Sequence, residues 1–246
     1  MRKVFSFFIA ILFLAVGSAA FAEHSAVLTY IHGIPGLPEP LEVYANGSYL
    51  FSFDYNESEE SLDTRADTYF IEIKLRGQTL LSREVELEEG KNYTAIAHLA
   101  FYDHGDSAFK PDVRPSIKLT VFENNVTPLR NWATRLTLRH TAEAPAVDVA
   151  VRRGMEGTKF FAKALGLSNN DTKVPSEFGP ADVWWGYFTP VFFLAGTDEE
   201  IYKSPPLALG RGFHYIIYSI GSVLDDSFRL FVQAIDLRSS EREPTF

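Results

Sequence analysis

Leu80-Leu81-Ser82-Arg83-Glu84-Val85-Glu86-Leu87-Glu88 closes on an alternation of apolar and acidic residues. Successive side chains of a strand point to opposite faces. Val85 and Leu87 therefore turn one way and Glu84, Glu86 and Glu88 the other, the pattern of a half-buried strand. Phe70 to Leu75 repeats it, with Ile71, Ile73 and Leu75 inward and Glu72 and Lys74 outward. Outward from these two stretches, alternation dominates and helical periodicity is scarce. Strand-like stretches in the first half fall near 25–32, 40–46, 48–54, 67–76, 79–88, 92–101 and 114–122. Those in the second fall near 132–140, 146–152, 158–165, 184–195, 199–207, 211–220 and 227–237. Lys159 to Leu167 admits a short helix instead. Seven short strands per roughly 100 residues, with turn residues between them, predict an all-β chain of two tandem immunoglobulin-like antiparallel β-sandwich domains.

The two halves also match each other. Leu28-Thr29-Tyr30-Ile31-His32 parallels Leu136-Thr137-Leu138-Arg139-His140 at an offset of 108, and Leu41-Glu42-Val43 parallels Val147-Asp148-Val149 at 106. Tyr69 to Gly77 parallels Phe188 to Gly196 at 119, and Leu87-x-x-Gly90 parallels Leu207-x-x-Gly210 at 120. The jump in offset predicts an inserted surface loop around 154–183. Charge divides the chain near residue 124: residues 23–123 hold 18 acids and 8 bases, residues 124–246 hold 14 and 13. The expected units are 1–22, 23–123 and 124–246.

The first unit reads as an address. Arg2 and Lys3 precede an apolar run from Val4 to Val16, and Ala20-Phe21-Ala22 gives a small-residue cleavage site. That is a secretory signal peptide, with the mature chain starting at Glu23; the run is too short to span a bilayer. Export to the periplasm or the cell exterior follows. The chain has no cysteine, which excludes disulfides, thiolate metal sites and a cysteine nucleophile. A net charge of −9 disfavours nucleic acid as a partner.

Arg139-His140-Thr141-Ala142-Glu143-Ala144-Pro145-Ala146-Val147-Asp148-Val149 resembles the hallmark stretch of an uncharacterised family of exported bacterial repeats, the domain of unknown function (DUF) 4397. Leu87 to Tyr93 is similar to a later Leu-x-x-Gly-x-x-Tyr step of that family, as is Leu207 to Phe213 with Phe in place of Tyr. In the first half His32-Gly33-Ile34-Pro35-Gly36 replaces the hallmark loop and Leu41-Glu42 replaces Val-Asp. The resemblance implies two tandem sandwiches outside the cytoplasm and carries no established activity.

Candidate chemistry is sparse. His32 and His140 each end a strand on its apolar face, which predicts neutral core imidazoles bonded to the next loop rather than metal ligands or bases. Asp148 points away from Val147 and Val149 and is expected to pair with loop amides or an arginine rather than do acid–base work, and Pro145 completes this structural motif. Asp54 to Asp63 carries five acids in ten residues; it reads as a solvated loop, with weak calcium binding as the alternative. No nucleophile elbow, P-loop or zincin spacing is present, so neither a cofactor nor a resident metal is expected. The strongest lead is aromatic. If Trp184, Phe188, Phe192 and Leu194 face the core, then Trp185, Tyr187, Val191 and Phe193 form an outward stripe, where the corresponding positions of the first half are Ala66, Thr68, Glu72 and Lys74. Exposed aromatic patches mark contacts.

These readings predict a non-enzymatic binding, scaffold or adhesion module of the cell envelope. Its partner would be an envelope protein, a glycan or a second copy. The rival readings are an envelope hydrolase using histidine and carboxylates and a small outer-membrane β-barrel, the latter suggested by the terminal Phe246.

Overall fold

The computed structural model describes residues 25–100, 116–154, 159–169 and 175–238. The expected signal peptide 1–22, the centre of the expected inserted loop and Phe246 lie outside the described residues. Every regular element described is a strand. The first half forms β1 (Ser25–Gly33), β2 (Leu41–Ala45), β3 (Ser48–Phe53), β4 (Ser58–Arg65), β5 (Thr68–Leu75), β6 (Gln78–Glu86), β7 (Asn92–Ala100) and β8 (Ser116–Asn124). The second forms β9 (Ala133–His140), β10 (Val147–Arg153), β11 (Lys159–Leu167), β12 (Glu177–Trp184), β13 (Gly186–Leu194), β14 (Glu200–Lys203), β15 (Leu207–Leu209), β16 (Phe213–Ile220) and β17 (Arg229–Asp236).

The strands make four open sheets. In the first half these are β4-β1-β7-β8 and β3-β2-β5-β6. The second half repeats the order as β12-β9-β16-β17 and β11-β10-β13-β14, with β15 also on β13. Register repeats too: β1 runs parallel to β7 with Leu28 opposite Tyr93, and β9 runs parallel to β16 with Leu136 opposite Tyr215. Each half is thus a β-sandwich. Leu28, Tyr30, Val43, Ile71 and Ile73 fill the first core, and Leu136, Leu138, Val149, Phe188 and Phe192 the second. No described sheet closes on itself, so the strands do not form the barrel of the second rival reading.

Three sequence expectations need correction. Each sandwich has eight strand positions, because the acidic stretch expected as a loop supplies β4, paired with β1. The inserted loop is not one loop: β11 pairs with β10 as a strand, and β12 pairs with β9. The added length lies in a longer β10–β11 hairpin and a longer path from β11 to β12. Lastly, Leu87 and Tyr93 correspond to Leu209 and Tyr215, two residues beyond the expected pair. The Tyr93 hydroxyl accepts the Glu88 N–H at 3.2 Å and the Tyr215 hydroxyl the Gly210 N–H at 2.9 Å, the same corner in both sandwiches.

The sandwiches meet through equivalent sheets. β7 and β9 are buried along their whole length, because each faces its own core on one side and the other sandwich on the other. Ile31, Ile96 and Phe122 pack there with Ile216, Tyr218 and Ile220. A buried polar network crosses the same layer. Arg139 donates to Asn124 Oδ1 at 2.8 Å and to the Tyr218 hydroxyl at 2.7 Å, pairs with Glu177 at 2.6 Å, and lies 4.2 Å over the Phe122 ring. Arg135 forks onto Asp182 and donates to Asn125 and Thr127 of the connector. Thr94 donates to Gln233 at 2.9 Å across the join.

Candidate functional site

The chain crosses between the two sheets of the second sandwich at Val183-Trp184-Trp185-Gly186-Tyr187-Phe188. Val183 and Phe188 enter the core. The residues between them turn outward, helped by Gly186 at φ 145°. Trp184 and Trp185 are each 54% exposed and Tyr187 46%. Trp132, just before β9, stacks on Trp184 with ring centroids 4.6 Å apart and planes at 28°. The pairing of Ala133 with Trp184 sets that stack. The corner is held from both sides: Gly154 N–H donates to Tyr187 O at 2.9 Å, and β15 pairs with Gly186 and Tyr187. All three tryptophans of the chain therefore gather at one end of the second sandwich.

The expected stripe is only partly a surface. Trp184, placed in the core by alternation, instead caps β12, because β12 ends there and Val183 takes the inward position. Val191 is 0% exposed, flanked by Ala150 on β10 and Lys203 on β14. Phe193 is half-buried, with the Lys163 ammonium 6.0 Å from its ring centre. Trp185 and Tyr187 remain, joined by Trp184 and Trp132. Mutual contact of the two indoles depends on a register that alternation within one segment cannot reveal.

The motif residues are interior. His140 Nε2 donates to Pro145 O at 3.1 Å, which leaves Nδ1 to accept from the Ser219 hydroxyl at 2.9 Å. His32 Nδ1 accepts the Ile34 N–H at 3.2 Å. His98 donates to Leu99 O and accepts from Thr120; His214 donates to Asn125 O and accepts from Thr137. Burial pushes all four imidazoles down to about 4, so they are neutral near pH 7. Asp148 accepts the Gly166 N–H at 2.8 Å and the Gly196 N–H at 3.3 Å, with Lys163 at 3.3 Å. The Gly166 bond leads in holding its carboxyl below the usual range. Of the acidic stretch, Glu57 accepts the Asp54 N–H within the turn, while Asp63 sits on β4 opposite Val27. Among the described residues no cluster of three or more His, Asp or Glu side chains is placed to hold a metal ion. No described helix is long and apolar enough to cross a membrane.

An open cleft of about 990 Å³ lies beside the aromatic corner, where the β6–β7 turn, the connector, the β15–β16 turn and the end of β17 meet. Sequence reading missed it, since its walls come from both halves.

Fold and site together define an all-β module of two stacked sandwiches with an exposed aromatic corner. The chain belongs to the DUF4397 family: the model of that family, a domain of unknown function, matches residues 26–150. The match runs through the first sandwich and β9 into β10, and so includes the His140–Val149 stretch. No curated protein matches the chain. Among solved structures, it is similar to a "putative cell adhesion protein" from Bacteroides uniformis at 8% identity and TM-score 0.27, over 89% of this chain and 99% of that one. It is also similar to a DUF3823 family protein from Bacteroides ovatus at 11% identity and TM-score 0.21, over 76% and 100%.

Proposed function

We propose that this chain is an exported, non-enzymatic binding module of the cell envelope, made of two tandem family repeats, that holds an envelope protein or glycan at its aromatic corner. The observation that carries the reading is the corner itself: two tryptophans and a tyrosine about half exposed, with a third tryptophan stacked beneath. Large aromatic side chains held rigidly at a surface supply contact area at little entropic cost. The histidines support the same reading. Both ring nitrogens of His98, His140 and His214 are engaged inside the protein, whereas a general base must present one to a substrate. The leader pattern of residues 1–22 supports export.

The test is capture from the source envelope fraction by wild type beside a Trp185→Ala, Tyr187→Ala double variant. A partner retained by wild type and lost by the variant is the expected result. Equal capture by a variant with an unchanged melting point would overturn the reading.

A further inference from the structure

We propose that the cleft beside the aromatic corner binds an acidic polysaccharide, its sugar rings on the tryptophans and its carboxylate or sulfate groups on arginines. The inference rests on the binding-module reading above and names the ligand class.

The charges of the cleft carry it. Lys91, Arg130, Arg211 and Arg238 line it against a single carboxylate, Asp236. Two of the cations are already engaged: Lys91 pairs with Glu123 at 2.6 Å and Arg238 pairs with Asp236. Arg130 and Arg211 have no acidic partner among the described residues, in a chain whose net charge is −9. Guanidinium groups gathered at one cleft of an acidic protein make a local attractor for anions, and the fork of each suits a carboxylate or sulfate.

The second observation is continuity with the indoles. Arg130 and Asn131 of the cleft wall lead directly into Trp132. Ala133 then accepts the Gly212 N–H at 2.9 Å on the cleft side and pairs with Trp184 on the other. One backbone position therefore ties the cationic wall to the aromatic stack. The cleft volume falls in the range of ligand sites, roughly 300–1,000 Å³. An indole face offers an apolar surface to a sugar ring and its N–H a donor to a hydroxyl. A neutral glycan would leave the arginines unused. A nucleic acid, with a charge on every phosphate, would need more cations than these to offset the acidic remainder of the protein.

Because all three tryptophans lie at this end, intrinsic fluorescence reports the site directly. The full chain would be titrated with oligogalacturonate, a heparin fragment, cellohexaose and single-stranded DNA. The expected result is a fluorescence change with one or both acidic glycans. It should weaken at least about tenfold between about 50 and about 500 mM salt. The Arg130→Ala, Arg211→Ala double variant should weaken it at least about tenfold with an unchanged melting point. The carboxylated and sulfated arms tell which anion is preferred. Absence of any response to both acidic glycans would overturn the inference, as would equal affinity in the arginine variant or equal affinity for DNA. Cellohexaose bound equally by wild type and the arginine variant, yet lost on Trp185→Ala, would also overturn it while leaving the binding-module reading intact.

Discussion

Tyr93 and Tyr215 each end a chain reversal by accepting a backbone N–H five residues upstream. Phenylalanine at either position keeps the packing and removes the acceptor. Each of Tyr93→Phe and Tyr215→Phe should cost about 1 kcal/mol by chemical denaturation. The second tyrosine was legible, since Leu209-x-x-Gly212-x-x-Tyr215 has the same spacing as Leu87-x-x-Gly90-x-x-Tyr93. The spacing points two residues too early because Leu207-Ala208-Leu209-Gly210-Arg211-Gly212 offers two overlapping Leu-x-x-Gly steps. The buried histidines set the pH response. In the unfolded chain they protonate near 6.5, in the fold only near 4. The unfolded state therefore binds more protons in that window. Their contribution is intact above pH 6.5 and is lost as pH falls toward 4, by about 3 kcal/mol for each by pH 4. Melting temperature followed from pH 7 to pH 4 should fall steeply.

At the scale of elements, alternation revealed strands with one apolar and one polar face, whether the polar face meets water, as in β5 and β6, or the other sandwich, as in β7 and β9. β4 and β12 escaped it for a different reason. Both border a sheet, where breaks in the pattern are tolerated. β4 is acid-rich, and β12 carries Gly179-Pro180 in its middle. Both are irregular at corresponding places, between the partners of Leu28 and Tyr30 and between those of Leu136 and Leu138. Such residues look like loop from sequence and serve as bulged edge strand in the fold. The turn after β16 shows how tightly one element seats on the other sandwich. Gly221 has φ 81°, and a Cβ there would collide with Ser227 O and the Tyr55 hydroxyl. The same hydroxyl donates to Ser227 O at 2.7 Å. Gly221→Ala should cost about 2–3 kcal/mol. Gly90→Ala, at φ 72° with no atom within 4 Å of the added Cβ, should cost about 1 kcal/mol. Thermal melts of the two variants side by side check the difference.

For the molecule as a whole, stacking of the two sandwiches was the least legible feature. Thr94, His98, Thr137 and Arg139 alternate with apolar residues as a solvent face would, yet all are buried. Nothing in a local pattern separates a polar face in water from one matched group by group against another polar face. The aromatic corner was half legible: Trp185 and Tyr187 stand at the surface, but the stack with Trp132 needs the pairing of β9 with β12. Removing the Arg139 guanidinium leaves Asn124 Oδ1 and the Tyr218 hydroxyl without their donor in a buried layer and strips the solvent-facing Glu177 of its ion pair. Arg139→Ala should lower stability by about 3–5 kcal/mol, read as an earlier midpoint in urea.

Strand pairing gives this join one more property. Thr94 corresponds to Ile216 and Phe122 to Gln233, through the shared registers of β7 with β8 and β16 with β17. Thr94 touches Gln233, and Ile216 shares a cluster with Phe122. Exchange of the two halves thus maps the contact onto itself, as in an isologous two-fold dimer. Here both protomers sit on one polypeptide, and residues 125–132 tether them. Such a tether sets an effective concentration on the order of millimolar, so a self-complementary surface too weak to dimerise between free chains stays closed within one.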